Sequence, residues 1–326
     1  MKNNNVNIVI TNRIHAEVSE RLKEYGNLVI NPSIEPWQES EFINHLSSAT
    51  AMMGFMTDKI NSSVLLKAKN LKIIACALKG YDNYDIQACT HHGVWVSVVP
   101  DLLTEPTAEL AIGLAISLAR KVLEGDAYIR QSKFQGWRTH LYGTGLSGSN
   151  VAVIGLGNVG EAIVNRLKGF GCKTITGVDP SREITGVVSV SLEKAFTEAD
   201  YVFLAVPLTD QTINLIDESV LKLSKPGQLI INVGRGSVVN EEAILGGLQS
   251  GQLAGFAADV FACEDWGLSN RPTSINHALT SNPSTLFTPH LGSAVKSVRI
   301  AIEHRAADNI IAYLEGKKPA DAINVV

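Results

Sequence analysis

The sequence predicts an α/β fold with two doubly wound parallel-sheet domains and a cleft between them. Three observations carry this expectation. Short apolar runs of strand length alternate with helix-like stretches along nearly the whole chain, the pattern of βαβ units and parallel sheets. One of those runs leads straight into a glycine motif that opens a helix. The chain has 326 residues, which at ~150 residues per domain corresponds to about two domains.

The first alternation supplies the strand candidates Asn7–Thr11, Leu28–Ile30, Ala51–Met56, Lys72–Leu78 and Val94–Val98. Helical stretches such as Ala16–Tyr25 and Ser62–Ala68 lie between them. A long helix follows around Ala108–Ala119. Pro106 falls in its first turn, and Thr104 or Thr107 is a candidate cap. Leu110, Leu114 and Leu118 recur four apart on one face, and the small residues Ala108, Ala111, Gly113, Ala115 and Ala119 allow close packing. A buried scaffold helix is the plain reading; a helix crossing between domains or facing another subunit fits equally. The stretch Phe134–Gly145 reads as a loop.

The second alternation supplies Val151–Ile154, Thr174–Val178, Tyr201–Val206, Leu229–Val233, Leu253–Ala258 and Leu286–Thr288. A last helix runs over Ala294–Leu314, with Gly316 just past its end as a stop signal. The boundary near residue 103 carries no flexible Gly/Ser linker, so two closely coupled lobes are expected: 1–103 plus 294–326, flavodoxin-like, and 104–293. A cleft between lobes is the default place for a small-molecule site.

Composition narrows the function classes. Hydrophobic residues at 45% and charged residues at 18% describe a globular chain and exclude disorder as its main state. The formal charge of -4 argues against nucleic acid as a main partner. The N-terminal residues Met1–Asn5 have no signal-peptide character, and no apolar stretch is long enough to span a bilayer. Cys76, Cys89, Cys172 and Cys263 show no CxxC spacing; a reducing cytoplasm is expected, and no metal site.

The glycine motif is Gly155-Leu-Gly157-Asn-Val-Gly160, directly after an apolar strand. Gly155 permits the tight turn, Gly157 lets the backbone approach a pyrophosphate, and Gly160 lets helix and strand pack closely. The helix N-terminus then offers N–H groups and positive potential to phosphates. Asp179 lies 19 residues beyond Gly160, at the end of the next strand, where a carboxylate accepts hydrogen bonds from ribose hydroxyls. Such a carboxylate repels a 2′-phosphate, which favours NAD over NADP; Arg182 nearby weakens that preference. The domain is expected to be a Rossmann-like NAD-binding domain.

Three further strands end in polar residues suited to hydride chemistry: Arg235 in Val233-Gly-Arg-Gly-Ser237, Glu264 after Ala258-Asp259, and His290 in Thr288-Pro-His-Leu-Gly-Ser293. The carboxyl ends of parallel strands line the ligand crevice, so the three can converge despite their separation in sequence. Arg offers a fixed fork of donors to an oxyanion. His moves a proton near neutral pH, and an adjacent carboxylate orients the ring. Taken singly, each is as readily a surface ion pair or a loop residue; the ordered trio is what carries weight.

Together these residues resemble the D-2-hydroxyacid dehydrogenase family over the whole chain. The resemblance implies two Rossmann-like domains, a homodimer built through the long helix and its neighbours, and Arg235, Glu264 and His290 as the catalytic trio. It implies NAD contacts at Lys79, Thr104, Asn158, Val159 and the three glycines. Further NAD contacts are implied at Val206, Pro207, Leu208, Val233, Gly234, Arg235, Asp259, His290 and Gly292.

Within that family, several segments look most like the phosphonate (phosphite) dehydrogenases, which oxidise phosphite to phosphate with NAD. These are Ala51-Met-Met-Gly-Phe-Met56, Cys76-Ala-Leu-Lys79-Gly80-Tyr-Asp-Asn83, Val99–Thr104, Lys133–Trp137, Tyr142–Leu146 and Phe287–Ala294. Lys79 stands where most hydroxyacid enzymes carry a small or neutral residue. Two cations, Lys79 and Arg235, suit one compact oxyanion. The resemblance further implies substrate contacts at Gly80, a pocket walled by Met56, Trp137 and Tyr142, and support from Ser293 and Arg299. A surface lysine and core-packed Met56 and Trp137 are the plain alternatives. The chain departs from the family's usual acidic-Pro ending: Glu264 is followed by Asp265-Trp266, which makes Asp265 a rival for the carboxylate role, though the spacing from Asp259 favours Glu264. The alternatives in function are a dehydrogenase of a small 2-hydroxy acid and a non-enzymatic NAD-sensing protein of the same fold.

Overall fold

The structure is a computed structural model in which residues 6–326 are described. The chain divides into two units. One holds the residues up to Leu103 together with Trp266–Asn270 and Ala294–Val326; the other holds Thr104–Asp265 and Arg271–Ser293.

The first unit contains a five-stranded parallel sheet of β1 (Asn7–Ile10), β2 (Asn27–Ile30), β3 (Ala51–Gly54), β4 (Ile73–Cys76) and β5 (Trp95–Ser97), in the order β2-β1-β3-β4-β5. Both faces are covered, so its strands read as apolar runs rather than as alternating ones. On one face Ile8, Ile10, Met53, Ile73 and Ala75 pack with Ile302, Ala306, Ala307 and Ile310 of the last helix, Lys296–Leu314. On the other, Val9, Met52, Ile74 and Val96 meet Leu46, Val64, Leu65 and Cys89. Gly316, at φ +75°, ends the last helix as the sequence suggests.

Buried polar groups stitch together the two loops that leave β3 and β4. Asp58, 5% exposed, accepts the Thr11 hydroxyl at 2.5 Å and the Phe55 N–H at 2.7 Å through Oδ2. The Asn83 amide donates to the carbonyls of Asp58 (2.5 Å) and Met56 (3.2 Å), and the Tyr84 hydroxyl to that of Phe55 (2.9 Å). Burial raises the Asp58 carboxyl from 3.8 to about 6, against the pull of the three donors around it. The native state therefore holds this proton more tightly than the unfolded chain. The stability that Asp58 withdraws is absent below 3.8 and fully felt above about 6, amounting to about 3 kcal/mol. Asp58→Asn, which keeps an acceptor oxygen, should flatten the fall in melting temperature between pH 4 and pH 8. An unchanged pH profile would locate the fall elsewhere.

The second unit contains a seven-stranded parallel sheet, with β6 (Asn150–Ile154), β7 (Thr174–Val178), β8 (Val188–Ser189), β9 (Tyr201–Leu204), β10 (Gln228–Asn232), β11 (Leu253–Ala258) and β12 (Thr285–Phe287). The order is β12-β11-β10-β9-β6-β7-β8. The period-2 alternation sends Val151, Val153, Tyr201, Phe203 and Ile231 to one face, against the helices Thr104–Ala119 and Asn158–Leu167. Ala152, Ile154, Val202, Leu204 and Ile230 go to the other, against Phe196, Ile244 and Leu245. The chain leaves β6 toward β7 on one side and returns to β9 on the other. The carboxyl ends of β6 and β9 therefore flank the topological switch point, where open sheets bind ligands.

Two expectations need correction, and one helix goes beyond them. The long helix already begins at Thr104, which puts Thr104 and Thr107 inside its first turn rather than at its cap. Gly113 is exposed and a side chain there would meet nothing within 4 Å, so close packing rests on the buried Ala108, Ala111, Ala115 and Ala119 alone. The segment before Phe134 holds a further helix, Val122–Arg130, that buries none of its residues.

Candidate functional site

The loop after β6 has the form of a phosphate cradle. Gly155 has φ +89°, and a Cβ there would lie 2.7 Å from Val206 Cγ1 and 2.8 Å from the Ala205 carbonyl. A Cβ on Gly160 would fall 1.9 Å from the Gly155 carbonyl. Gly157, by contrast, has open space around it, so its backbone is accessible where the helix Asn158–Leu167 begins. Two glycines are thus required by packing and one leaves room for a ligand, as a dinucleotide pyrophosphate needs.

Asp179 ends β7, and its Oδ2 accepts the Leu156 N–H at 2.8 Å, which ties it to the same loop. Its Oδ1 accepts the N–H groups of Ser181 and Arg182, each at 2.9 Å. Desolvation opposes ionisation, but these backbone donors outweigh it and hold the carboxyl below its ordinary range. Asp179 is thus held as a carboxylate against the glycine loop. Arg182 reaches toward Glu161 and Asn158, both at 3.5 Å. Val206, Pro207 and Leu208 follow β9 on the other side of the switch point. Val233 and Gly234 follow β10, and a Cβ on Gly234 would meet the Val206 carbonyl at 2.6 Å. Val159 lies half-buried in the first turn of the glycine-loop helix.

The polar strand ends after β10, β11 and β12 meet one another. His290 Nδ1 lies 3.0 Å from Glu264 Oε2, and Glu264 Oε1 accepts the Phe261 N–H at 2.9 Å. Each oxygen of Glu264 therefore has its own partner, and the imidazole is held by one nitrogen. With Nδ1 donating to the carboxylate, Nε2 is the nitrogen left to exchange a proton. His290 itself has φ +55°, a left-handed conformation that costs a non-glycine residue of order 1 kcal/mol. Asp259 holds the loop in that shape. It is buried and accepts the Thr288 hydroxyl (2.6 Å), the Leu291 N–H (2.6 Å) and the Gly292 N–H (2.8 Å). Both Asp259 oxygens are thus engaged with the loop that carries His290. A Cβ on the buried Gly292 would meet Thr107 Oγ1 at 3.0 Å.

Arg235 is half-buried after β10. Its guanidinium donates to the Gly234 carbonyl at 2.9 Å, while the buried Asn232 accepts the Gly234 N–H (3.0 Å) and donates to the Arg235 carbonyl (2.9 Å). Asn232 was not singled out from sequence; a buried Asn ending an apolar strand before Gly-Arg-Gly is the signal it offered. Asp265, the rival carboxylate, does not take the His290 contact: its Oδ2 accepts the Ser237 N–H at 2.7 Å.

The first unit carries a separate set. Lys79 and Gly80 lie half-buried on the loop after β4, and Met56 half-buried on the loop after β3, packed against the sheet core. Arg299, in the first turn of the last helix, donates to the Ala77 carbonyl at 3.4 Å, two residues before Lys79. Burial lowers Arg299 from its ordinary value, and the Glu303 charge one turn on counters it. Glu303 is itself buried and accepts both the N–H and the Nδ1 of His15. In the second unit Trp137 and Tyr142 are 78% and 76% exposed, which excludes core packing for both. Ser293 is half-buried beside Gly292. Among the described residues no three His, Cys, Asp or Glu cluster in a way that could hold a metal ion.

Comparison with known proteins accounts for this arrangement. Residues 112–292 match the model of the D-isomer specific 2-hydroxyacid dehydrogenase NAD-binding domain. The chain belongs to the D-2-hydroxyacid dehydrogenase family. It is 33% identical to the glyoxylate reductase of Thermococcus litoralis, with 94% of this chain and 96% of the relative covered. Its fold superposes on the crystal structure of a Thermus thermophilus protein with a TM-score of 0.89 at 30% identity, covering 98% and 100% of the two chains. The NADPH-dependent glyoxylate/hydroxypyruvate reductase of Sinorhizobium meliloti, solved with NADP and malonate, gives 0.84 at 28% identity, covering 98% and 97%. As in that family, the second unit is an NAD-binding domain, and the glycine loop with Asp179 fits the cofactor. Among the described residues no helix is long and apolar enough to cross a membrane.

Proposed function

We propose that this NAD-dependent oxidoreductase oxidises phosphite to phosphate. The observation that carries the reading is the cationic loop after β4, where Lys79 follows two residues after the carbonyl that holds the Arg299 guanidinium. Phosphite is small, tetrahedral and anionic, and it has no side chain for an apolar pocket. Lys79 binds and orients it as a point charge, with Arg299 supporting the loop. Arg235 stabilises negative charge on the reacting oxyanion. His290, oriented by Glu264, takes a proton at Nε2 from the water that attacks phosphorus. NAD, held by the glycine loop and Asp179, supplies the acceptor for the hydride released from the P–H bond.

A second reading has its own support. The Thermococcus litoralis and Sinorhizobium meliloti relatives carry names of glyoxylate or hydroxypyruvate reductases, which favours a small 2-hydroxy or 2-keto acid and the same trio. Parallel assays separate the two: NADH formation with phosphite or a panel of 2-hydroxy acids, and NADH oxidation with glyoxylate. The first reading expects phosphite to give the highest kcat/KM; a silent phosphite assay beside an active glyoxylate assay would end it. Lys79→Ala should raise the phosphite KM about 10- to 100-fold, the equivalent of losing a charged hydrogen bond of ~1.5–3 kcal/mol. An unchanged KM would remove Lys79 from the substrate site.

A cytoplasmic homodimer completes the reading. The four free cysteines support the compartment, and the exposed Val122, Leu123 and Ile129, which follow the long helix, support the interface.

A further inference from the structure

Asp265 follows Glu264 directly and sits at the end of the short helical turn Ala262–Glu264. It is 1% exposed, and its Oδ2 accepts the N–H of Ser237, two residues beyond Arg235. The loop that carries Arg235 is therefore gripped at both ends, by the Asn232 side chain at its start and by Asp265 at its finish. Between these grips the two loops touch through their backbones: a Cβ on Gly236 would lie 1.8 Å from the Phe261 carbonyl carbon. The turn is braced from behind, where Glu241 accepts the Ala262 N–H at 2.9 Å.

We propose that Asp265 is a positioning residue that sets Arg235 in register with the Glu264–His290 pair. Glu264 and Asp265 are adjacent residues at the end of one rigid turn. The first orients the imidazole and the second fixes the arginine loop, so a single element places both groups. A buried carboxylate accepting a backbone N–H makes a strong, directional hydrogen bond, and misplacing a catalytic group by about 1 Å costs of order 100-fold in rate. The proposal rests on Arg235 and His290 doing the chemistry, whichever small acid is the substrate.

The test compares Asp265→Asn, Asp265→Ala and Asp265→Glu with Arg235→Ala and with the double variant Asp265→Ala/Arg235→Ala. Each is assayed for phosphite-dependent NADH formation and glyoxylate-dependent NADH oxidation, for NAD affinity by titration, and for melting temperature. Asp265→Asn keeps an acceptor for Ser237 and should retain kcat within about fivefold with an unshifted pH profile. Asp265→Ala should lose about 30- to 300-fold in kcat with NAD affinity within threefold. Asp265→Glu, with its charge kept and its reach wrong, should lose at least tenfold. In the Arg235→Ala background Asp265→Ala should cost nothing further, because the group it places is gone. Wild-type turnover in Asp265→Glu, losses that multiply in the double variant, or a shifted pH profile in Asp265→Asn would each overturn the positioning role. Wild-type turnover in Arg235→Ala would instead overturn the catalytic assignment on which it rests. If Asp265→Ala does not fold, the Asn and Glu variants decide alone.

Discussion

His290→Ala should abolish turnover, by at least a thousandfold in kcat, while NAD affinity stays within a few-fold of wild type. The imidazole is the one side chain of the trio with a second ring nitrogen to take and give a proton, and Glu264 holds its Nδ1 at 3.0 Å so that Nε2 is presented. Its neighbours do not replace it: the Thr288 hydroxyl donates to Asp259, and Pro289 has no N–H to give. NAD affinity should hold because His290 is only one of many implied contacts, and the glycine loop and Asp179 lie at the carboxyl ends of β6 and β7, on loops the substitution leaves intact. Steady-state turnover paired with a fluorescence titration of NAD measures the split. Near-wild-type kcat would show that His290 is not the acid–base group. Glu264→Gln should fall between wild type and His290→Ala, since the amide oxygen still accepts from Nδ1 and orients the ring but supplies a weaker, uncharged acceptor.

Gly236→Ala is expected to be nearly as damaging, by a purely steric route. The added methyl would lie 1.8 Å from the carbonyl carbon of Phe261 and 2.1 Å from the nitrogen of Ala262. Both are backbone atoms and cannot rotate aside. Either the Arg235 loop or the turn that carries Glu264 must shift, and overpacking of this kind costs about 1–3 kcal/mol or more. A lower melting temperature and at least a 100-fold loss of kcat should appear together. Gly246→Ala is the matched control: it lies exposed in the helix Glu241–Gln249, where a Cβ meets nothing within 4 Å. There alanine should leave kcat alone and add up to about 1 kcal/mol of stability. Wild-type activity in Gly236→Ala would mean that the two loops are not held in register by their contact.

Much of the fold was legible because both sheets are parallel and buried on two faces, so each core strand is an apolar run. Strand ends were read too long wherever the apolar run continues into a loop. Ala51–Met56 stops at Gly54, because Asp58 draws the Phe55 N–H out of the ladder. The strand Val188–Ser189 is not evident from sequence because it is only two exposed residues at a sheet edge, too short to make a strand-length run. The helix Val122–Arg130 is not evident for the related reason that it turns no face to a core. In the site, the glycine motif, Asp179 and the order Arg235, Glu264, His290 were visible because each ends a strand. The choice between Glu264 and Asp265 rested on spacing alone, and the hydrogen bonds now give the two neighbours different partners. What the sequence concealed are the side chains that brace loops: Asn232, Asp259 as the holder of the His290 loop, and Asp58 with Asn83. Their partners lie far away in the chain, and no local pattern encodes such a pairing.

The left-handed backbone at His290 has an evolutionary reading. Glycine or asparagine would rest in that conformation with less strain, so a search for heat resistance alone would drift toward them at position 290. With His290 as the proposed acid–base group, selection for turnover opposes that drift. On the proposed mechanism, position 290 gives up robustness in exchange for chemistry, and an engineer raising the melting temperature should leave it untouched.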